Sequence, residues 1–225
     1  MKTFLCNERE RGLTRLELLI VVVMLCVVVA VFFPWSLREP RAPRQRIQCV
    51  NNLKQIGTAF DAWAGDHGEK FPMEIRQTNG GTMEFTTGPN EWRHFQIMSN
   101  ELSTPKVLIC PADDARPIAA TNFTFFNNSN LSFFINLDYS RPNPSAIWSG
   151  DRNLTNTSPI RDGILELRTN QPASWTTGMH KKVGNLLLFD GSVQQVDKAG
   201  LRRAVENSGS PTNRLQMPIL NPQGL

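Results

Sequence analysis

The sequence predicts an α+β fold in which a long N-terminal helical arm, its first half membrane-spanning, packs on an antiparallel β-sheet. Three observations predict it. Residues 18–33 are apolar throughout and carry no charge. From Arg44 onward apolar residues return at helical spacing, and beyond residue 100 short apolar runs alternate with turn residues and end in a hairpin signal, Asp190-Gly191. One early helix followed by strands is the chain order of an α+β layer arrangement.

The composition agrees with a folded body behind an apolar segment. Of 225 residues, 40% are hydrophobic and 20% charged, with 15 each of Gly and Pro, which excludes wholesale disorder and collagen-like repeats. The mean hydropathy of −0.30 averages an oily stretch with a polar remainder. A net charge of +4 without dense Lys/Arg blocks or interleaved aromatics gives no reason to expect nucleic acid as a partner.

The apolar run alone is slightly short for a bilayer. Extended from Leu13 to Trp35, at about 1.5 Å per residue, it reaches roughly 33 Å and spans the hydrocarbon core, so membrane lipid is an expected partner. That extension includes Glu17, whose carboxylate is costly in lipid unless it finds a cation. Ordinary signal-peptide cleavage is disfavoured: Val28-Val29-Ala30 lies inside the run, and Phe32, Phe33, Pro34 and Trp35 beyond it are the wrong size for the protease. Lys2, Arg9 and Arg11 before the run are matched by Arg38, Arg41, Arg44 and Arg46 after it, so loop charge does not choose an orientation.

Pro40 and Pro43 predict a hinge after residue 36. A second helix then follows: Ile47, Val50, Leu53, Ile56, Ala59, Phe60 and Trp63 recur at three and four residues until Gly65–Gly68. Expected strands are 107–110, 122–126, 131–137, 146–148, 164–167, and a hairpin of 185–189 with 192–196 joined by a two-residue loop at Asp190-Gly191. Residues 200–207 read as a short helix. The segment 208–225, with Pro211, Pro218 and Pro222, reads as weakly ordered.

The residues Arg11-Gly12-Leu13-Thr14-Arg15-Leu16-Glu17-Leu18-Leu19 resemble the class III signal of type IV pilins and type II secretion pseudopilins. The resemblance implies a leader, residues 1–12, removed after Gly12 by a prepilin peptidase, and methylation of the new terminal residue, Leu13. Glu17 then falls fifth in the mature chain, the family's Glu position, and Pro34 twenty-second, where the family's helix commonly kinks. The spacing has its own logic. Cleavage creates a cationic amine on Leu13, and Glu17 lies one turn on; in a bundle of subunits the carboxylate of one copy can neutralise its neighbour's amine and fix the axial register. Leu13 in place of the usual Phe, and Arg15 in place of an apolar residue, depart from the pattern.

Further motifs extend the likeness: Cys49 through Gly57, Phe71-Pro72, Cys110-Pro111-Ala112-Asp113, and His180 followed after nine residues by Asp190-Gly191. Together they resemble the large pilin-like family abundant in planctomycetes and verrucomicrobia. The resemblance implies like or related pilin subunits as partners. It also implies a single pass through the cell inner membrane, with the N-terminus cytoplasmic and the body (67–207) periplasmic or extracellular.

Within that body, His180 reads either as a ligand or base or as a structural residue tying the loop before the hairpin, and the structural role is preferred. Asp190 reads as a turn residue. Cys49 and Cys110 lie in the exported part, where a disulfide between helix and strand is permitted, although either can instead be a small buried side chain. Asp113, Asp114, Asp138, Asp151 and Asp162 offer oxygen ligands, but no calcium-loop spacing. His67, His94 and His180 form no short zinc pair. Metal, cofactor and catalytic residues are therefore not expected, nor is an enzyme. Gly150-Asp151-Arg152-Asn153 reads as a turn pair or a binding loop. Two functions compete: a filament subunit, and a monomeric membrane-anchored binding module, for example for polysaccharide, motivated by Trp92, Trp148 and Trp175 in expected loops. An envelope hydrolase using His180 and a carboxylate is the weakest reading.

Overall fold

A computed structural model describes residues 14–36, 41–116, 118–138 and 143–220. Gly12 and Leu13 lie outside the described residues. The chain divides into two units, Met1–Arg41 and Ala42–Leu225. The first contains helix α1 (Arg15–Ser36), which continues through Pro34. Within it, Arg15–Phe32 is long and apolar enough to cross a membrane, with a mean hydropathy of 2.8.

Helix α2 (Arg41–Asp66) starts at the boundary and, from Ala42 on, opens the second unit. Pro43 falls in its first turn, where a missing N–H costs no intrahelical bond. The buried stripe is Cys49, Leu53, Ile56, Phe60 and Trp63, whereas Ile47 is 62% exposed; the stripe thus begins one turn position later than the periodicity suggests. Gly57 lets the helix sit close to the sheet, since a Cβ there would be 3.2 Å from Leu187 Cδ1. Two short helices follow, α3 (Trp92–Gln96) and α4 (Ser99–Leu102). The last is α5 (Lys198–Asn207).

The strands are β1 (Phe133–Asn136), β2 (Ile147–Asp151), β3 (Leu154–Asn156), β4 (Ile164–Arg168), β5 (Ala173–Trp175), β6 (Gly184–Leu188), β7 (Val193–Val196) and β8 (Thr212–Gln216). Six form one sheet in the order β4-β8-β1-β2-β6-β7, and β3 pairs with β5. Every ladder is antiparallel. Both faces of the larger sheet are covered. On one, Phe133, Ile135 and Leu187 join the stripe of α2; on the other, Phe134, Leu186 and Leu188 pack with Leu201 and Val205 of α5 and with Trp175. Successive residues pointing to opposite covered faces explain why β1 and β6 are buried at every position.

Several expected elements differ. Residues 107–110 are not a strand: Pro105–Leu108 is a 3₁₀ turn whose Thr104 side chain accepts from Lys106 N–H. Residues 122–126 are a turn, in which Asn122 Oδ1 accepts from the N–H groups of Thr124 (3.0 Å) and Phe125 (3.2 Å). The segment after 208 is ordered through residue 220 and supplies β8, an interior strand of the sheet. Trp148 and Trp175 are core residues rather than loop aromatics. Trp148 is the extra residue where the β2–β6 register shifts, and its ring lies 5.2 Å from Phe60 and 4.8 Å from Phe189.

Candidate functional site

Two groups of residues hold chemistry. The first is the N-terminal end of α1. Thr14 and Glu17 form a reciprocal cap: Thr14 N–H and Oγ1–H both donate to the Glu17 carboxylate at 2.9 Å, and Glu17 N–H donates to Thr14 Oγ1 at 3.3 Å. This arrangement satisfies donors that a helix start leaves open. Thr14-x-x-Glu17 carries that capping signal in the sequence itself.

The second group surrounds His180. Cys49 of α2 and Cys110 are joined by a disulfide with an S–S distance of 2.00 Å. His180 Nε2 lies 3.3 Å from Cys110 Sγ and 3.5 Å from Asp151 Oδ2, and Arg46 donates to the His180 carbonyl at 3.4 Å. His180 thus joins the N-terminal part of α2 through its carbonyl, and the disulfide and the end of β2 through its ring. Lys181 and Lys182 follow it in left-handed backbone (φ 55° and 67°). Such a pair is costly for non-glycine residues, and here it is held by Lys181 N–H to Met179 O and Lys182 N–H to Thr176 O.

Asp151 is fully buried and accepts from Asn185 N–H (2.7 Å) and Asn185 Nδ2 (2.8 Å) through Oδ2. Its Oδ1 meets no donor among the described residues. Burial pushes this carboxyl up to about 7, against the pull of the Asn185 bonds. Burial, helped by Arg46, draws His180 down to about 4. Near neutral pH the imidazole is therefore uncharged, and burial favours the protonated form of the carboxyl.

Asp151 and its neighbour Arg152 do not pair. Arg152 turns to Asp113, with Nε 2.7 Å from Oδ2, and Ser132 Oγ donates to the same oxygen at 2.8 Å. Glu91, buried near Arg116, has its carboxyl raised well above the usual range by desolvation. Arg116 donates to the carbonyls of Asn128 and Pro218. Sequence reasoning did not find this network, because its members are scattered polar residues with no common spacing.

The remaining expected sites separate. Asp190 Oδ1 accepts from Ser192 N–H at 2.8 Å, and the hydrogen bonds to Ser192 hold its carboxyl below the ordinary range. The hairpin loop has three residues rather than two: Leu188 N–H donates to Ser192 O, Gly191 N–H donates to Leu188 O, and Gly191 takes φ 77°. His67 stacks on Trp63 at 3.7 Å, whereas His94 lies between Thr82 (2.6 Å) and Gln216 (2.9 Å). The acidic residues serve different partners, Asp138 pairing with Arg214 at 2.7 Å. Ligand atoms of Cys49, Cys110 and His180 lie within 4.8 Å of one another, yet the two sulfurs are spent on each other. His180 is only 3% exposed, so its imidazole faces the disulfide and Asp151 rather than solvent, and this contact set clamps α2 to the end of β2.

Comparison of the chain with profiles of known protein families, with curated proteins and with solved structures finds no match in any of the three.

Proposed function

We propose that this chain is a non-enzymatic, prepilin-like structural subunit, cut after Gly12 by a prepilin peptidase, methylated on Leu13 and assembled with like or related subunits into a pseudopilus of type II secretion type. The supporting observation is the joint register of Gly12, Glu17 and Pro34 with an apolar helix that begins at Arg15. Ahead of processing, Glu17 caps its own helix through Thr14. Processing supplies a nearby cation, and in an oligomer the carboxylate exchanges its internal partner for the amine of an adjacent subunit. The anchor is a single inner-membrane pass with the leader cytoplasmic and the body periplasmic or extracellular.

Mass spectrometry of membrane-extracted protein is the test. A mature chain beginning at Leu13 supports the reading; an intact residue 1 or a cut near Ala30 overturns it. Two Glu17 variants then separate charge from capping. Glu17→Gln keeps an acceptor for Thr14 but removes the charge, whereas Glu17→Ala removes both. Loss of filaments in both variants, with membrane insertion retained, is the expected result. Normal assembly of the Gln variant overturns the counterion role.

A further inference from the structure

We propose that the cavity between the β4–β5 connection and the start of α5 binds a small carboxylated, hydroxyl-rich molecule, with the chemistry of a uronic acid sugar. The cavity has a volume of about 640 Å³, within the range of roughly 300–1,000 Å³ typical of small-molecule sites. It belongs wholly to the second unit and is separate from the His180 clamp.

Its walls divide by chemistry. Arg168, Lys198 and Arg202 bring three cations to one opening, against a single lining carboxylate, Asp197. That carboxylate is already engaged, accepting from Gly200 N–H at 2.8 Å. Arg168 and Arg202 have carboxylate partners outside the wall, Glu166 at 2.6 Å and Glu206 at 2.8 Å. Both pairs are exposed to water, where such pairs contribute little, so a ligand carboxylate competes for either guanidinium. Lys198 has no ion pair among the described residues. Lys198 and two guanidiniums whose exposed partners are readily exchanged favour an anion, and an Arg fork favours a planar carboxylate.

The rest of the wall selects what carries the carboxylate. Thr169, Asn170 and Gln171 are consecutive and offer both donors and acceptors, suited to a row of hydroxyl groups. Pro172, Ala173 and Val205 give an apolar floor for C–H surface. None of the described lining residues is aromatic, so neither a nucleobase nor a sugar face finds a stacking ring here, and apolar contact rests on Pro172, Ala173 and Val205. An acidic sugar presents all three matching features: a carboxylate, hydroxyls and an apolar ring face.

Calorimetric titration of the full-length chain in detergent micelles with trigalacturonate tests the assignment, with maltotriose as the neutral sugar and inorganic phosphate as the plain anion. Saturable binding of trigalacturonate is expected. It should weaken about tenfold between about 0.05 and 0.5 M salt, as screening of an exposed charge pair requires, while maltotriose shows no binding under the same conditions. The Lys198→Gln, Arg202→Gln double variant should lose affinity at least about tenfold with an unchanged circular dichroism spectrum, because both side chains lie on the surface. Equal affinity for maltotriose, binding of phosphate alone, or trigalacturonate binding unaltered in the double variant would each overturn the proposal. None of these outcomes depends on whether the chain forms filaments.

Discussion

At the scale of single residues, the protonation of Asp151 and His180 sets how the body responds to pH. A carboxyl raised from 3.8 to about 7 in the folded chain holds its proton more tightly there than in the unfolded chain. Its contribution is complete below about pH 3.8 and is lost as pH rises through about 7. His180 and His94, both drawn from 6.5 to about 4 by burial, act in the opposite sense: their contribution is present above about 6.5 and is lost as pH falls toward 4. In the window they share, the two histidines outnumber the single Asp151 carboxyl, so these three groups together make stability rise with pH between about 4 and 6.5. Asp151→Asn removes only the carboxyl's share. The variant is expected to gain on the parent by about 2 kcal/mol between about pH 5 and pH 8, read as a difference in Tm that grows with pH. A difference that stays constant with pH would show that Asp151 is ionised in the fold.

At the scale of elements, the β6–β7 hairpin depends on the left-handed backbone of Gly191. No neighbouring atom lies where its Cβ would be, so Gly191→Ala isolates the backbone term. A loss of about 1 kcal/mol is expected, measured as a lower urea midpoint with an unchanged slope. The Asp-Gly signal was legible, and so was most of the α2 stripe, because both are local patterns. The loop length was not. Phe189 leaves the ladder because its N–H donates to Ala146 O and its ring packs on Trp148, contacts made with a segment some forty residues earlier in the chain. The run 107–110 had strand composition, but Thr104-Pro105 starts a tight turn there. β8 was the least legible element. Its Asn213 and Gln216 are fully buried, and they are tolerated because Asn136 donates to Asn213 at 3.1 Å and Gln216 meets His94 at 2.9 Å. Apolar periodicity cannot reveal a strand whose buried side chains are amides satisfied by distant partners.

At the scale of the whole molecule, β8 joins parts of the sheet that, among the described residues, have no other ladder between them. It lies between β4 and β1, pairing Leu215 with both Leu165 and Asn136. The Asp138–Arg214 ion pair adds a side-chain tie, and Arg214 N–H also donates to Asp138 at 2.8 Å. Truncation after residue 207 is therefore expected to unfold the body rather than trim it, with loss of near-ultraviolet circular dichroism and rapid proteolysis. A truncated chain that keeps both native signals would show that the other strands suffice. The order helix, helix, strands made the α+β class legible. The pairing of Cys49 with Cys110 stayed open in the sequence because nothing in it fixes their separation in space.

The position of β8 also constrains when the body can fold. Seven of the described strands are synthesised before Thr212, and β1 and β4 remain unpaired on their facing edges until residues 212–216 have left the ribosome. A nascent chain stalled just short of that point displays two open edges flanked by apolar side chains, the form most prone to aggregation. The same delay leaves the sheet incomplete until residues 212–216, the last of the described strands, have been made.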